Sequence, residues 1–389
     1  MKAVASGQLP LSNAANYKQL TCCYATVIKD FFPAAPLLHS RSATMALHYQ
    51  DSGMTMWFKN LIFYRFTQAF ELKAEELEEK LVQKRFRSCG SQDMSTYGWV
   101  PPLGKHGDLL THCANGFVMV TACKEEKILP ASVIKDVLEE KVEQIEQEQD
   151  RQVFSKEKKA LKDDVLMELL PRAFTRSQKT SAYIDPTEGW MVMDASSFKK
   201  AEELTSCLRE CLGSLPIVNT PLKNMPSFSM THWLARETPL PSCLVLGEEC
   251  ELREPGDEGG QVKVSKQELS SEEVDVHLAA GKQVSKMALV WDEALSFVLG
   301  DDLVIRKLKF TEVIQDQLDE IEADSAAEQF DADFSVMTLT LQKMIRDLVE
   351  CLGGMSEENE EQRKTLTSLS VDIPEKNIPE KDIPEKAEA

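Results

Sequence analysis

His106, Asp108 and His112, with Cys113 directly after them, are the side chains best suited to coordination chemistry in this sequence. Imidazole and carboxylate groups so close together could supply ligands to a divalent ion, and such a site would make the chain a metal-dependent nuclease. The spacing fits no zinc signature, however, and Pro101, Pro102, Gly104 and Gly107 make the segment loop-like. Side chains that anchor a loop by hydrogen bonding are the simpler reading. Other chemistry has no motif to carry it. There is no Gly-x-Ser-x-Gly elbow for a hydrolase and no Gly-x-x-x-x-Gly-Lys-Ser/Thr loop for a nucleotide-driven motor. The Glu-rich run 139–148 reads as a solvated helix face. No catalytic residue, cofactor or metal is therefore expected.

The 10 cysteines, at 22, 23, 89, 113, 123, 207, 211, 243, 250 and 351, include no Cys-x-x-Cys pair. Cys207 and Cys211 share one face of an expected helix, where packing explains them better than a metal. Scattered thiols in a long chain read as reduced and intracellular. No apolar run is long enough to span a membrane; the best, Phe31–Leu38, is short and broken by proline.

The 389 residues hold 44 Lys+Arg against 64 Asp+Glu, a net charge of −20, which on the whole-chain scale opposes a nucleic-acid partner. The charge is uneven. No Lys or Arg lies between Phe310 and Gln342, a stretch with 9 acids, and 357–389 has 10 acids against 5 bases. Base collects elsewhere: Arg151, Lys156, Lys158, Lys159 and Lys162 stand against Glu157 alone, and Arg172, Arg176 and Lys179 face no acid between 169 and 179. A solvated helix face is the plain explanation. Concentration on one projecting element of so acidic a chain favours a local anion site.

The elements around these residues are α+β. Met56–Phe66 reads as a largely buried first strand, 73–86 as an amphipathic helix, Cys89–Met94 and Gly98–Gly104 as a loop-rich stretch and Phe117–Ala122 as a second strand. Two helices follow over 131–170, with apolar faces that fade toward their junction, the pattern of a hairpin solvated at its tip. Ala182–Asp185 and Trp190–Asp194 read as paired strands, 197–212 as a helix that Gly213 stops, and 215–218 as a short strand. Residues 219–260 give one confident element, Met230–Arg236. Ser270–Glu273 matches a capping box, a strand meander is expected over 283–310, and helices over 311–323 and 330–352.

The ends differ from this middle. Residues 1–53 have irregular patterning and no signal-peptide layout, and the folded protein is expected to begin near Met54, which makes them a flexible extension or an upstream start-codon choice. From about 355 the chain is expected to be an extended acidic tail, with Asp372–Lys376, Asn377–Lys381 and Asp382–Lys386 each carrying Ile-Pro-Glu-Lys. Between the ends lie an N-terminal part (54–130), the helical hairpin (131–174), and central and C-terminal parts (175–354).

Met56–Leu61, Cys89–Met94, Gly98–Pro102, Leu110–His112 and Ala114–Gly116 occur in the order of one family, followed by Lys124–Pro130, Leu169–Phe174, Leu212–Pro216, Arg306–Phe310 and Gln329–Phe334. From about Met54 to Gly354 the chain resembles RdgC, the bacterial recombination-associated family. The resemblance implies mixed sheets with C-terminal helices, and a homodimer closed into a ring around double-stranded DNA. Single-stranded DNA would bind more weakly. Binding would be independent of sequence and would restrain RecA-promoted strand exchange, with a role at replication forks. It further implies a non-enzyme of the cytoplasm and nucleoid. The hairpin would correspond to the family's finger. Phe174 would sit at one ring-closing interface with Arg172 close by, and Lys266 and Gln267 at the opposite closure. Here the tip, Arg151 to Lys159, is interrupted by Val153, Phe154 and Glu157.

Overall fold

Phe117–Val120 and Trp190–Met193 are apolar without interruption, so a strand formed from either has to be covered on both faces. A computed structural model describes residues 57–256, 259–319, 323 and 325–356 and shows how this is done. Met54 and Met56, the 1–53 extension and the pentad repeats lie outside the described residues. One sheet contains β1 (Ile62–Phe66), β2 (Ser95–Val100), β3 (Thr111–Ala114), β4 (Phe117–Ile128), β5 (Phe174–Asp185), β6 (Trp190–Met193) and β7 (Ile217–Asn219). Its order is β2-β4-β5-β6-β1-β7, with β3 following β2 along the same edge of β4. The second sheet has the order β12-β11-β10-β8-β9, from β8 (Leu244–Arg253), β9 (Gln261–Ser265), β10 (Gln283–Trp291), β11 (Leu295–Gly300) and β12 (Ile305–Phe310). Leu61 and Ile305 exchange backbone hydrogen bonds of 2.8 and 3.0 Å, which join the two sheets at one corner.

Strand periodicity sends alternate residues of the first sheet into different cores. Ile62, Val118, Val120, Ala182, Met191 and Met193 pack with α1 (Ala74–Val82) and α4 (Phe198–Leu212). Phe63, Phe117, Met119, Tyr183, Trp190 and Val192 belong to a second core, which the inner face of the other sheet shares. That core holds α5 (Pro226–Leu234) and the long α8 (Ala326–Cys351). Phe334 of α8 meets Tyr183 edge-on at 6.3 Å, and Gln342 donates to Asp185 at 2.7 Å, both toward the first sheet. Toward the second sheet, Trp291 Nε1 donates to Asp347 at 3.1 Å. The remaining helices are α2 (Ala131–Gln149), α3 (Ser155–Leu169), α6 (Glu272–Ala279) and α7 (Glu312–Asp319).

Several expectations change. Every ladder in both sheets is antiparallel, where mixed sheets were expected, because hairpins and antiparallel returns replace strand–helix–strand crossovers. The loop-rich stretch contains β2. Trp99 is fully buried there, and a Cβ on Gly98 would lie 2.6 Å from the Phe86 backbone, so the short Gly-Trp step is a close packing of two chain segments. The first strand is shorter than expected and starts at Ile62. β5 begins 8 residues before the expected Ala182, because its first half is exposed and carries no apolar alternation. The 219–260 stretch supplies β8, whose Gly247 and Glu248–Glu249 hide the strand pattern. The expected capping box is displaced: Ser271 is the N-cap and makes no side-chain cap bond, while Gln267 Nε2 donates to Glu273 at 2.7 Å. Gly213 ends α4 at φ 82, as its position suggested.

Phe334→Ala removes a fully buried ring from the core both sheets share. Its expected cost is about 3–5 kcal/mol, read as a lower midpoint in chemical denaturation.

Candidate nucleic-acid interface

The helical hairpin is rooted in the β4–β5 ribbon. The two strands pair from Val118↔Ile184 out to Ile128↔Phe174, so α2 and α3 take the place of a turn at the ribbon's end. Lys127 Nζ clamps the junction, donating to Leu170 O at 2.7 Å and to Ser91 O at 2.8 Å. Glu125 accepts from the backbone of Cys89 at 2.7 Å, which draws the Cys89–Met94 turn against the same ribbon. Higher up, Lys141 bonds Glu168 at 2.7 Å across the two helices.

The basic residues are distributed more finely than the sequence suggested. Taken whole, 131–169 has 7 Lys+Arg against 11 Asp+Glu, so the hairpin itself is acidic. Base belongs to the first half of α3, where Lys156, Lys158, Lys159 and Lys162 are exposed and bond no described carboxylate. Arg151 is committed elsewhere: its guanidinium forks onto Glu157 at 2.7 and 2.6 Å, and the hydrogen bond to Arg151 holds that carboxyl below its ordinary range. Glu157 thus neutralises Arg151 and leaves the lysines unpaired. Arg172 is exposed in a single 3-10 turn ahead of β5. Arg176 and Lys179 are both exposed on β5, but odd and even positions of a strand face opposite ways. Arg176 therefore shares a face with Phe174, and Lys179 lies on the other.

Phe174 does not end a helix; it opens β5 and is 84% exposed, opposite the half-exposed Ile128. Ile128 is a neighbour the sequence did not single out, since its run Lys124–Pro130 reads as polar. Lys266 and Gln267 sit far along the chain, in the loop between β9 and α6. Lys266 is exposed with φ 57, and it lines a shallow hollow of about 460 Å³ with Val245, Glu248 and Gln267. The second sheet adds cations that sequence reasoning missed. Lys263, Lys307 and Lys309 are exposed around Glu249, and Lys286 bonds Glu251 at 3.1 Å. Their signal was period-two alternation along β9, β10 and β12, visible only once the pairing is known.

The three candidate metal ligands are not brought together. His106 ends an exposed 3-10 turn, Asp108 is exposed, and His112 turns from β3 into α8. There its ring meets Phe330 and Phe334 edge-on at 4.9 and 5.2 Å, with Nε2 3.4 Å from the Asp331 carboxylate. Cys113 is exposed on β3, and desolvation, then the Glu75 and Glu78 carboxylates, push its thiol up to about 11. Among the described residues no three His, Cys, Asp or Glu side chains gather as a metal site. Cys207 and Cys211 are both buried on α4, where Trp99 Nε1 donates to Cys211 Sγ at 3.4 Å. No described helix is long and apolar enough to cross a membrane.

These features define an α+β protein of two antiparallel sheets in which the helix pair α2–α3 joins β4 to β5, with exposed bases on α3 and on the strand ribbon. The chain belongs to the RdgC family: the family model described as "Putative exonuclease, RdgC" matches residues 56–355. The recombination-associated protein RdgC of Aeromonas hydrophila is 50% identical over 299 residues, 77% of this chain and 98% of the relative. Those of Tolumonas auensis and Salmonella typhimurium are 47% and 46% identical over the same span, 99% and 98% of their lengths.

The exonuclease description is open to a direct check. Linear duplex and plasmid incubated with the pure chain and magnesium or manganese are expected to stay intact by gel. His112→Ala is expected to lower the melting temperature without altering either substrate.

Proposed function

We propose that this chain acts in recombination as a double-stranded DNA-binding protein without sequence preference. A homodimer closes into a ring around the duplex, binds single strands more weakly, and restrains RecA-promoted strand exchange, with a role at replication forks in the nucleoid. One observation carries this reading: identity of 46–50% with recombination-associated RdgC proteins along nearly their entire lengths. The placement of base supports it. Phosphate contacts need only accessible positive side chains, and Lys156, Lys158, Lys159, Lys162, Arg172, Arg176 and Lys179 are all exposed.

Ring closure needs two self-complementary patches, because a two-fold contact brings a surface against itself. Phe174 beside Ile128 offers an apolar patch, and the hollow with both Lys266 and Glu248 offers paired opposite charges. In this reading Phe174 is an anchor of one closure and Lys266 and Gln267 belong to the other. Acidic surface elsewhere disfavours stray contact with DNA and directs the duplex to the basic patches. Enclosure slows escape without many strong contacts.

Affinity for a random-sequence duplex is expected to fall about a hundredfold or more between roughly 50 and 200 mM salt. Equal affinity at both ends of that range overturns the phosphate-binding reading. Phe174→Ala is expected to keep its fold, since the ring is exposed, while weakening the dimer about tenfold or more. Sedimentation and retention on closed circular DNA under salt challenge measure the two effects.

A further inference from the structure

Single exposed apolar side chains are ordinary on protein surfaces, so Phe154, 73% exposed at the hairpin tip, needs more than its exposure to matter. The tip is built to hold it outward. Asp150 takes a left-handed conformation at φ 47 and reverses the chain after α2. Val153, 6% exposed, turns inward as a plug, and its N–H donates to Glu146 Oε1 at 2.9 Å. Arg151 is fixed by its fork onto Glu157. Phe154 itself is extended at φ −84 and ψ 162, and its carbonyl accepts from Lys158 N at 2.9 Å to start α3. Arg151 and Val153, which flank the tip, are held by Glu157 and Glu146 and leave the ring uncovered.

The surroundings of the ring are ionic. Lys156, Lys158 and Lys159 follow within the next turn and a half, all exposed and bonded to no described carboxylate. A protein hot spot is an aromatic ring set in apolar, water-excluding neighbours. An aromatic ring with ammonium groups at its foot suits a nucleic acid instead: phosphates take the cations, and a base face takes the ring.

We propose that Phe154 is a base-stacking residue, its ring set against a nucleobase of the DNA whose phosphates Lys156, Lys158 and Lys159 hold. This rests on the DNA-binding reading above. The base can come from an unpaired strand or from a duplex step that the ring wedges open, and the test separates the two.

The full-length chain, Phe154→Ala and Phe154→Trp are titrated with a continuous duplex, the same duplex with a short single-stranded gap, and a single strand. Each DNA carries 2-aminopurine, whose fluorescence reports stacking. Phe154→Ala is expected to weaken binding to at least one DNA by about tenfold and to lose the fluorescence change there, with Phe154→Trp retaining both. A loss on gapped and single-stranded DNA alone assigns unpaired bases. A loss on the continuous duplex, with a shift in plasmid linking number, assigns the wedge. If Phe154→Ala matches the parent on all three DNAs, base stacking is overturned while DNA binding stands. If Phe154→Ala changes the oligomeric mass with fluorescence intact, the ring contacts protein and the proposal also falls. Should the parent chain bind none of the three at low salt, the DNA-binding reading fails first. Unchanged thermal melting of Phe154→Ala confirms that the comparison is between folded proteins.

Discussion

Helix α8 is enclosed along most of one side: of Phe330–Val349 only Asp331, Lys343 and Arg346 are exposed, and its core residues from Phe330 to Val349 are buried. A helix so apolar must be enclosed, and the two sheets are its walls. Tyr183 and His112 reach it from one sheet and Trp291 from the other, while Gln342 and Asp347 supply polar contacts that fix its register. The first sheet's strands can be apolar on both faces because α8 and α5 cover one and α1 and α4 the other. From that sheet the β4–β5 ribbon continues past the core, its outer half exposed, and ends in the helix pair. Placement of Phe174, Phe154 and the α3 lysines therefore follows from the enclosure of one distant helix.

Charge acts at a scale smaller than the chain or even the hairpin. The net −20 belongs to surfaces, and the hairpin repeats the pattern with its own excess of acid. Within it, Glu157 takes Arg151, and Lys141 takes Glu168, so counting residues misjudges what is available to a ligand. The same holds in the second sheet, where Lys307 and Lys286 are held by Glu249 and Glu251. Cations tied to carboxylates position the backbone; those left unpaired create the field a phosphate meets.

Much of the fold was legible. Helical spacing located the hairpin, α4 and α8, and Gly213 marked a true helix end, because these are local properties of backbone and side chain. β2, β8 and the first half of β5 were not legible. Their residues are polar, glycine-containing or exposed, and only hydrogen bonds to partners far along the chain make them strands. The candidate site divides in the same way. The lysines of α3 were visible as a cluster on one element, whereas Ile128 opposite Phe174 and the cations around Glu249 needed the strand register.

The sequence by itself determined the family, the absence of catalytic motifs, the hairpin and the segments where acid and base concentrate, because motif order, periodicity and charge are written in chain order. Tertiary structure decided which of those charges are free, that Arg176 and Lys179 face opposite sides of a strand, and that His112 serves α8 and is separated from His106 and Asp108. It also decided that Phe154 and Phe174 point into solvent. Each of these depends on what lies across space from a residue, and strand pairing and helix enclosure bring together positions tens to hundreds of residues apart.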